Sequence, residues 1–295
     1  MIKFKGTLAD SSLASRLFLL VGTSLFLAFF VVMLWMAVSP GSTTDIQSMR
    51  WLQLLETTAT FILPPFLLAY FWESKPFAFL RLDKKSSKGV YAGIILLMLA
   101  LIPFINLLGE LNQQVVLPSS LSGLEQVFKN MEDQAAKLTE QLLNVHHFSG
   151  LVFNLIVISL VPGFGEELFF RGTFQGILRK RIGNTTAIWI TAFVFSAIHF
   201  QFYGFIPRML IGAFFGYLLV WSGNLWLPVL AHIVNNGVAV VFYYLKYNGV
   251  KTFDIDTIGT GNTFWLGILS GVVGVAVILF IREKLSGQSV VEKSS

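Results

Sequence analysis

Long apolar runs separated by short polar segments set the pattern of this chain. They fall near residues 17–38, 52–72, 90–109, 149–170, 187–203, 206–221, 225–245 and 263–281, and most approach the roughly 20 residues a helix needs to cross a bilayer. The pattern predicts an all-α integral membrane protein, a bundle of about eight transmembrane helices. The fifth and sixth runs are the shortest, and Gly204 and Pro207 between them mark either a tight turn or a re-entrant element, so six or seven spans is the alternative count. The first run is too long for the core of a signal peptide and reads as a retained helix.

Three regions follow. Residues 1–148 hold about three transmembrane helices and, near 110–147, an amphipathic segment in which Glu125, Lys129, Glu132, Asp133, Lys137 and Glu140 alternate with Leu124, Phe128, Met131 and Leu138. That segment is expected to cap one face of the membrane or to serve as a solvated linker helix. Residues 149–282 form a second helical unit, and 283–295 read as a disordered cytoplasmic tail.

Composition agrees with burial in lipid: 55% of the residues are hydrophobic and 13% charged. The net charge of +5 does not indicate nucleic acid, because the basic residues flank apolar runs, where membrane topology accounts for them. With eight helices, 15 of the 21 Lys and Arg residues fall on one side, among them Lys3, Arg16, Arg81, Arg179, Lys180, Arg181 and Arg282, while Arg50, Lys129, Lys137, Arg208, Lys246 and Lys251 fall on the other. Positive residues accumulate in the cytoplasm, so both termini are expected there. Cysteine is absent, which excludes disulfides, thiolate metal sites and cysteine nucleophiles.

An ionisable side chain at the centre of a membrane helix costs about 2.5–3.5 kcal/mol on insertion scales. The chain nevertheless places Glu166, Glu167, His199, His232, Asn235 and Asn236 inside apolar runs, all in its second half. Residues four apart share a helix face, which pairs Glu167 with Arg171, Phe195 with His199 and His232 with Asn236. At 1.5 Å per residue, Glu166 lies about 20 Å from the basic end at Lys180, and His199 is comparably far from Asn184, so convergence at one depth is feasible. Each residue alone also has a structural reading, as an ion pair or an interhelical hydrogen bond.

Together they can perform hydrolysis. A buried carboxylate can take a proton from water and return it to a leaving amine, with an imidazole orienting the water, and a second His with an Asn amide can meet an oxyanion. Ser196 has only apolar neighbours in sequence, no serine sits in a nucleophile-elbow motif, and the His-Glu-x-x-His pattern of zinc proteases is missing. Pro162, Gly163 and Gly165 beside Glu166 either kink the helix to admit water and peptide or supply a small-residue packing surface.

The series Glu166-Glu167-x-x-x-Arg171, Phe195-x-x-x-His199 and His232-x-x-x-Asn236 resembles the three motifs of the CPBP intramembrane proteases, which include type II CAAX prenyl endopeptidases, bacteriocin-processing and self-immunity proteins and abortive-infection proteins. The resemblance covers about 151–244. It implies that Glu166 is the general base assisted by His199, that His232 and Asn236 form the oxyanion site, and that Glu167 and Arg171 organise it. The family is described both as metal-dependent and as glutamate-type, and Glu166, His199 and His232 could make a site for a divalent metal such as zinc. The implied partner is a membrane-associated peptide or protein cut from the cytoplasmic side, in a bacterial plasma membrane; nothing in these residues reads a prenyl group. The competing readings are a proton-coupled transporter and a catalytically silent immunity or scaffold protein.

Overall fold

In the computed structural model the described residues are 4–39, 45–250 and 254–294, with 286–294 as backbone only. Lys3 and Lys251, two of the basic residues sorted by side, lie outside them.

The described residues are mostly helical and contain no strand. Ten helices carry the fold: α1 (Leu13–Val38), α2 (Ile46–Trp72), α3 (Lys88–Ala100), α4 (Ile102–Gln113), α5 (Ser122–Leu143), α6 (Phe148–Ile182), α7 (Asn184–Ala197), α8 (Phe205–Ser222), α9 (Trp226–Tyr247) and α10 (Phe264–Ser294). Local chemistry sets their ends. The Ser12 hydroxyl caps α1 by accepting from the Ser15 amide, the Asp45 carboxylate caps α2 through Ser48, and the Asn224 side chain accepts from the Trp226 amide at the start of α9. Gly183 and Gly223, with φ of 80° and 64°, take the left-handed backbone that ends a helix at little steric cost.

The expected count of eight spans is corrected. Among the described residues six helices are long and apolar enough to cross a membrane, or seven if the bent pair α3 and α4 is one span. That pair breaks by 42° just before Pro103, which cannot donate to the preceding turn. The run that fails this test is 187–203, whose α-helix, Asn184–Ala197, at about 21 Å falls short of a hydrocarbon core of about 30 Å. The last helix continues through the stretch 283–294 assigned from sequence to a tail, carried outward by the good helix formers Arg282, Glu283, Lys284 and Leu285.

Side-chain placement suits lipid. Phe18, Leu25, Phe26 and Phe29 on α1 and Val272 and Phe280 on α10 all face outward, whereas Glu167, Arg171, Gln175, Thr191 and Asn154 are fully buried. Hydrogen bonds sort the loops into two ends. At one end Glu73 meets Arg16 at 3.2 Å and Lys180 at 3.8 Å, and Asn224 donates to the Ser86 hydroxyl. At the other end Arg50 donates to the Leu142 carbonyl, and Asn112 donates to the Phe202 carbonyl and accepts from the Ile206 amide. The first end gathers Arg16, Arg81 and Arg179–Arg181; the second is roofed by α5.

The helix that bears the two glutamates is irregular. Within α6 the segments Leu155–Leu160 and Leu168–Gln175 are π-helical and flank the α-helical Val161–Glu167. Pro162 lies between them and withholds a backbone donor, and such wide turns change which face a residue presents.

Candidate active site

Three elements supply the polar cluster. Helix α6 provides Glu166, Glu167 and Arg171, the turn after α7 provides His199, and α9 provides His232, Asn235 and Asn236. Close approach of α6 to α9 depends on Gly163, where a Cβ would sit 2.8 Å from the Ile233 side chain and 3.1 Å from its amide nitrogen.

At the base of the cluster, Arg171 and Glu167 form an ion pair with Nη1 to Oε1 at 2.7 Å, both side chains 0% exposed. The guanidinium also donates through Nη2 to the Gly212 carbonyl at 2.9 Å, and its carbon lies 4.4 Å from the centre of the Phe195 ring. The same Glu167 oxygen sits 2.9 Å from His232 Nδ1. Because a carboxylate can only accept, His232 donates through Nδ1, which leaves Nε2 for chemistry. His232 Nε2 is 3.8 Å from Glu166 Oε2, too long for a direct hydrogen bond and suited to two groups that share one water.

His199 lies just beyond the end of α7, in a turn closed by Phe200 at φ 54°. Its Nδ1 is 2.7 Å from the Phe195 carbonyl, so Nδ1 donates there and Nε2 is again the free nitrogen. Asn236 donates through Nδ2 to the Ile158 carbonyl at 3.1 Å and accepts from Asn235 Nδ2 at 3.1 Å, which fixes its amide and leaves one N–H for another acceptor. Ser196 is buried and donates to the Phe205 carbonyl at 2.7 Å, a structural role.

Glu166, His199, His232 and Asn236 line one cavity of about 490 Å³. Its wall includes Thr139 and Leu143 of α5 and Gln201 and Gly204 of the turn before α8, so it extends toward the end roofed by α5 and not toward the basic end expected from sequence. A separate groove of about 380 Å³ at the basic end is lined by Glu73, Lys75, Arg81, Arg171, Arg179 and Lys180. Among the described residues no three His, Cys, Asp or Glu side chains are grouped as metal ligands, although Glu166, His199 and His232 share the cavity.

Residues 148–238 match the family described as type II CAAX prenyl endopeptidase Rce1-like. This segment, about a third of the chain, resembles that family. The Rce1-like segment contains every motif residue named above, from Glu166 to Asn236. It is similar to a protein of Bacillus subtilis (strain 168), the uncharacterized protein YpbD, with 32% identity over 89 residues, 29% of this chain and 43% of YpbD. The chain thus matches less than half the length of that relative. No solved structure matches.

Within the Rce1-like segment, Glu166, His199, His232 and Asn236 converge as the motif spacing implied. Two features had no sequence signal. The link from Glu167 to His232 joins residues 65 apart, and Arg208, sorted by charge as a loop cation, lines the same cavity. A buried asparagine, Asn112, could have been noticed as a polar residue at the end of an apolar run, and it pins the turn next to His199.

Proposed function

We propose that the protein is an intramembrane endopeptidase of the CAAX type, which hydrolyses a peptide bond in a membrane-associated peptide or protein. The observation that carries this reading is the 3.8 Å approach of Glu166 Oε2 to His232 Nε2 in a cavity shared with His199 and Asn236. That arrangement suits a carboxylate that draws a proton from water as the water oxygen attacks the scissile carbonyl carbon. His199 orients the water through its free Nε2.

Glu167 sets the His232 tautomer by accepting from Nδ1 at 2.9 Å. When His232 carries a hydrogen on both ring nitrogens, its Nε2 and the remaining Asn236 N–H donate to the oxyanion of the tetrahedral intermediate. Glu166 passes its proton to the leaving amine as the C–N bond breaks, and the new carboxylate departs.

The accumulation of Arg16, Arg81 and Arg179–Arg181 at one end supports placing that end in the cytoplasm. Under this reading peptide enters the cavity from the opposite, α5-roofed end. Purified protein in liposomes should cleave lipid-anchored peptides, and Glu166→Gln should abolish cleavage without changing insertion or yield. Proton flux without cleavage by the wild type would replace this reading with the transporter.

A further inference from the structure

Arg208 stands in the cavity wall, on the first turn of α8, opposite the motif residues. Its Nη2 donates to the Gln201 side-chain carbonyl at 2.6 Å. Its Nη1 is buried and has no hydrogen-bond partner. Among the described residues no carboxylate lies within ion-pairing distance of it; the acids whose charge reaches it are Glu166, in the same cavity, and Glu132 of α5. The guanidinium rests on Gly204, where a Cβ would come within 3.1 Å of Nη2, so a side chain there would crowd the position it occupies. The contrast with Arg171 is informative: that guanidinium has its counter-charge 2.7 Å away and a backbone carbonyl besides, whereas Arg208 is held by a neutral amide with one fork arm free.

A partly buried guanidinium with an open donor is matched by a planar anion that can accept from it, and in a peptide that anion is a carboxylate. We propose that Arg208, positioned by Gln201, is a specificity residue that binds a carboxylate of the substrate peptide inside the cavity. The inference rests on the reading of the cavity as a peptide site. The carboxylate is either the terminal α-carboxylate of the substrate or an Asp or Glu side chain near the scissile bond, since both present the same two oxygens to the fork.

The test uses full-length protein in nanodiscs and three N-terminally palmitoylated, fluorescent peptides: one with a free carboxyl terminus, its carboxamide, and the carboxamide with a Glu beside its last residue. Binding is read by anisotropy and hydrolysis is followed in parallel. Wild type should bind the free acid about 10- to 100-fold more tightly than the amide, the scale of one buried charge-assisted hydrogen bond. If the internal Glu restores affinity, the side chain is the source; if it does not, the α-carboxylate is. Arg208→Met should reduce the preference to near unity, and Arg208→Lys, which keeps the charge without the fork, should retain part of it. Lys137→Met, which removes a charge from exposed α5, should leave the preference intact.

Equal affinity of wild type for all three peptides would overturn the inference, as would an Arg208→Met protein that keeps the preference or weakens all three peptides alike. Preference without hydrolysis would keep the carboxylate site and sink the peptidase reading; hydrolysis without preference would do the reverse.

Discussion

His232 gives its Nδ1 hydrogen to Glu167, 2.9 Å away, and so turns Nε2 toward Glu166. Of the two adjacent glutamates, one holds the histidine and the other faces the cavity. Consecutive residues on a helix point about 100° apart, and that divergence separates the carboxylate that holds His232 from the one that lines the cavity.

Glu167→Gln should therefore fail twice. It leaves Arg171 buried without its counter-charge, a loss of about 3–5 kcal/mol for a broken buried pair, and it offers His232 an amide that can flip its NH₂ toward Nδ1 and no longer fixes the tautomer. Thermal unfolding in detergent should show the first effect, and peptide cleavage at a temperature where the variant remains folded should show the second. Wild-type stability in the variant would contradict the burial of the pair.

Asn236→Ala should lower turnover by about 10²- to 10³-fold, the usual effect of losing one oxyanion donor, with KM nearly unchanged. Asn236→Asp should be at least as damaging, because an acceptor-only carboxylate repels the developing oxyanion. An active Asp variant that is inhibited by a chelator would assign this position to a metal ligand.

Gly163→Ala should push α9 away from α6, since its Cβ would come within 2.8 Å of Ile233 Cγ1. Overpacking of this kind costs about 1–3 kcal/mol. Because Ile233 adjoins His232, turnover should fall by more than stability suggests, and adding Ile233→Ala should recover part of both. Full activity in the single variant would show that the helix contact is slack.

A small tag placed between Arg181 and Gly183 should be protected in intact cells, while one placed beside Lys137 in α5 should be reached from outside. The reverse pattern would invert the proposed orientation and move the cavity mouth to the cytoplasm.

The sequence made the site more legible than the bundle around it. Intramembrane polar groups are costly enough that Glu166, His199 and His232 stood out against apolar neighbours, and the four-residue spacing of His232 and Asn236 survives in a regular helix. The helix after Asn184 misled because Ile198, Phe200 and Phe202 continue the apolar pattern beyond the end of the α-helix at Ala197; hydropathy records partition and not hydrogen bonding. The end toward which the cavity extends is a related case. A depth of about 20 Å from Lys180 already places Glu166 nearer the far face of a core of about 30 Å, yet the weight of basic residues drew attention to the other end. Arg208 could not be read at all, because whether a cation at a helix start faces water or a cavity depends on which residues fold over it.

The buried pair of Glu167 and Arg171 lies between the cavity lined by Glu166 and the groove at the basic end, which also touches Arg171. Two recesses thus lie toward opposite ends of the protein, with this pair between them. If the cavity that Glu166 lines opens only toward α5, Glu166 should be in protonic contact with a single compartment. In vesicles that hold a pH difference, the proposed hydrolysis should follow the acidity on the α5 side and ignore that on the other, so that its rate would report on one face of the membrane.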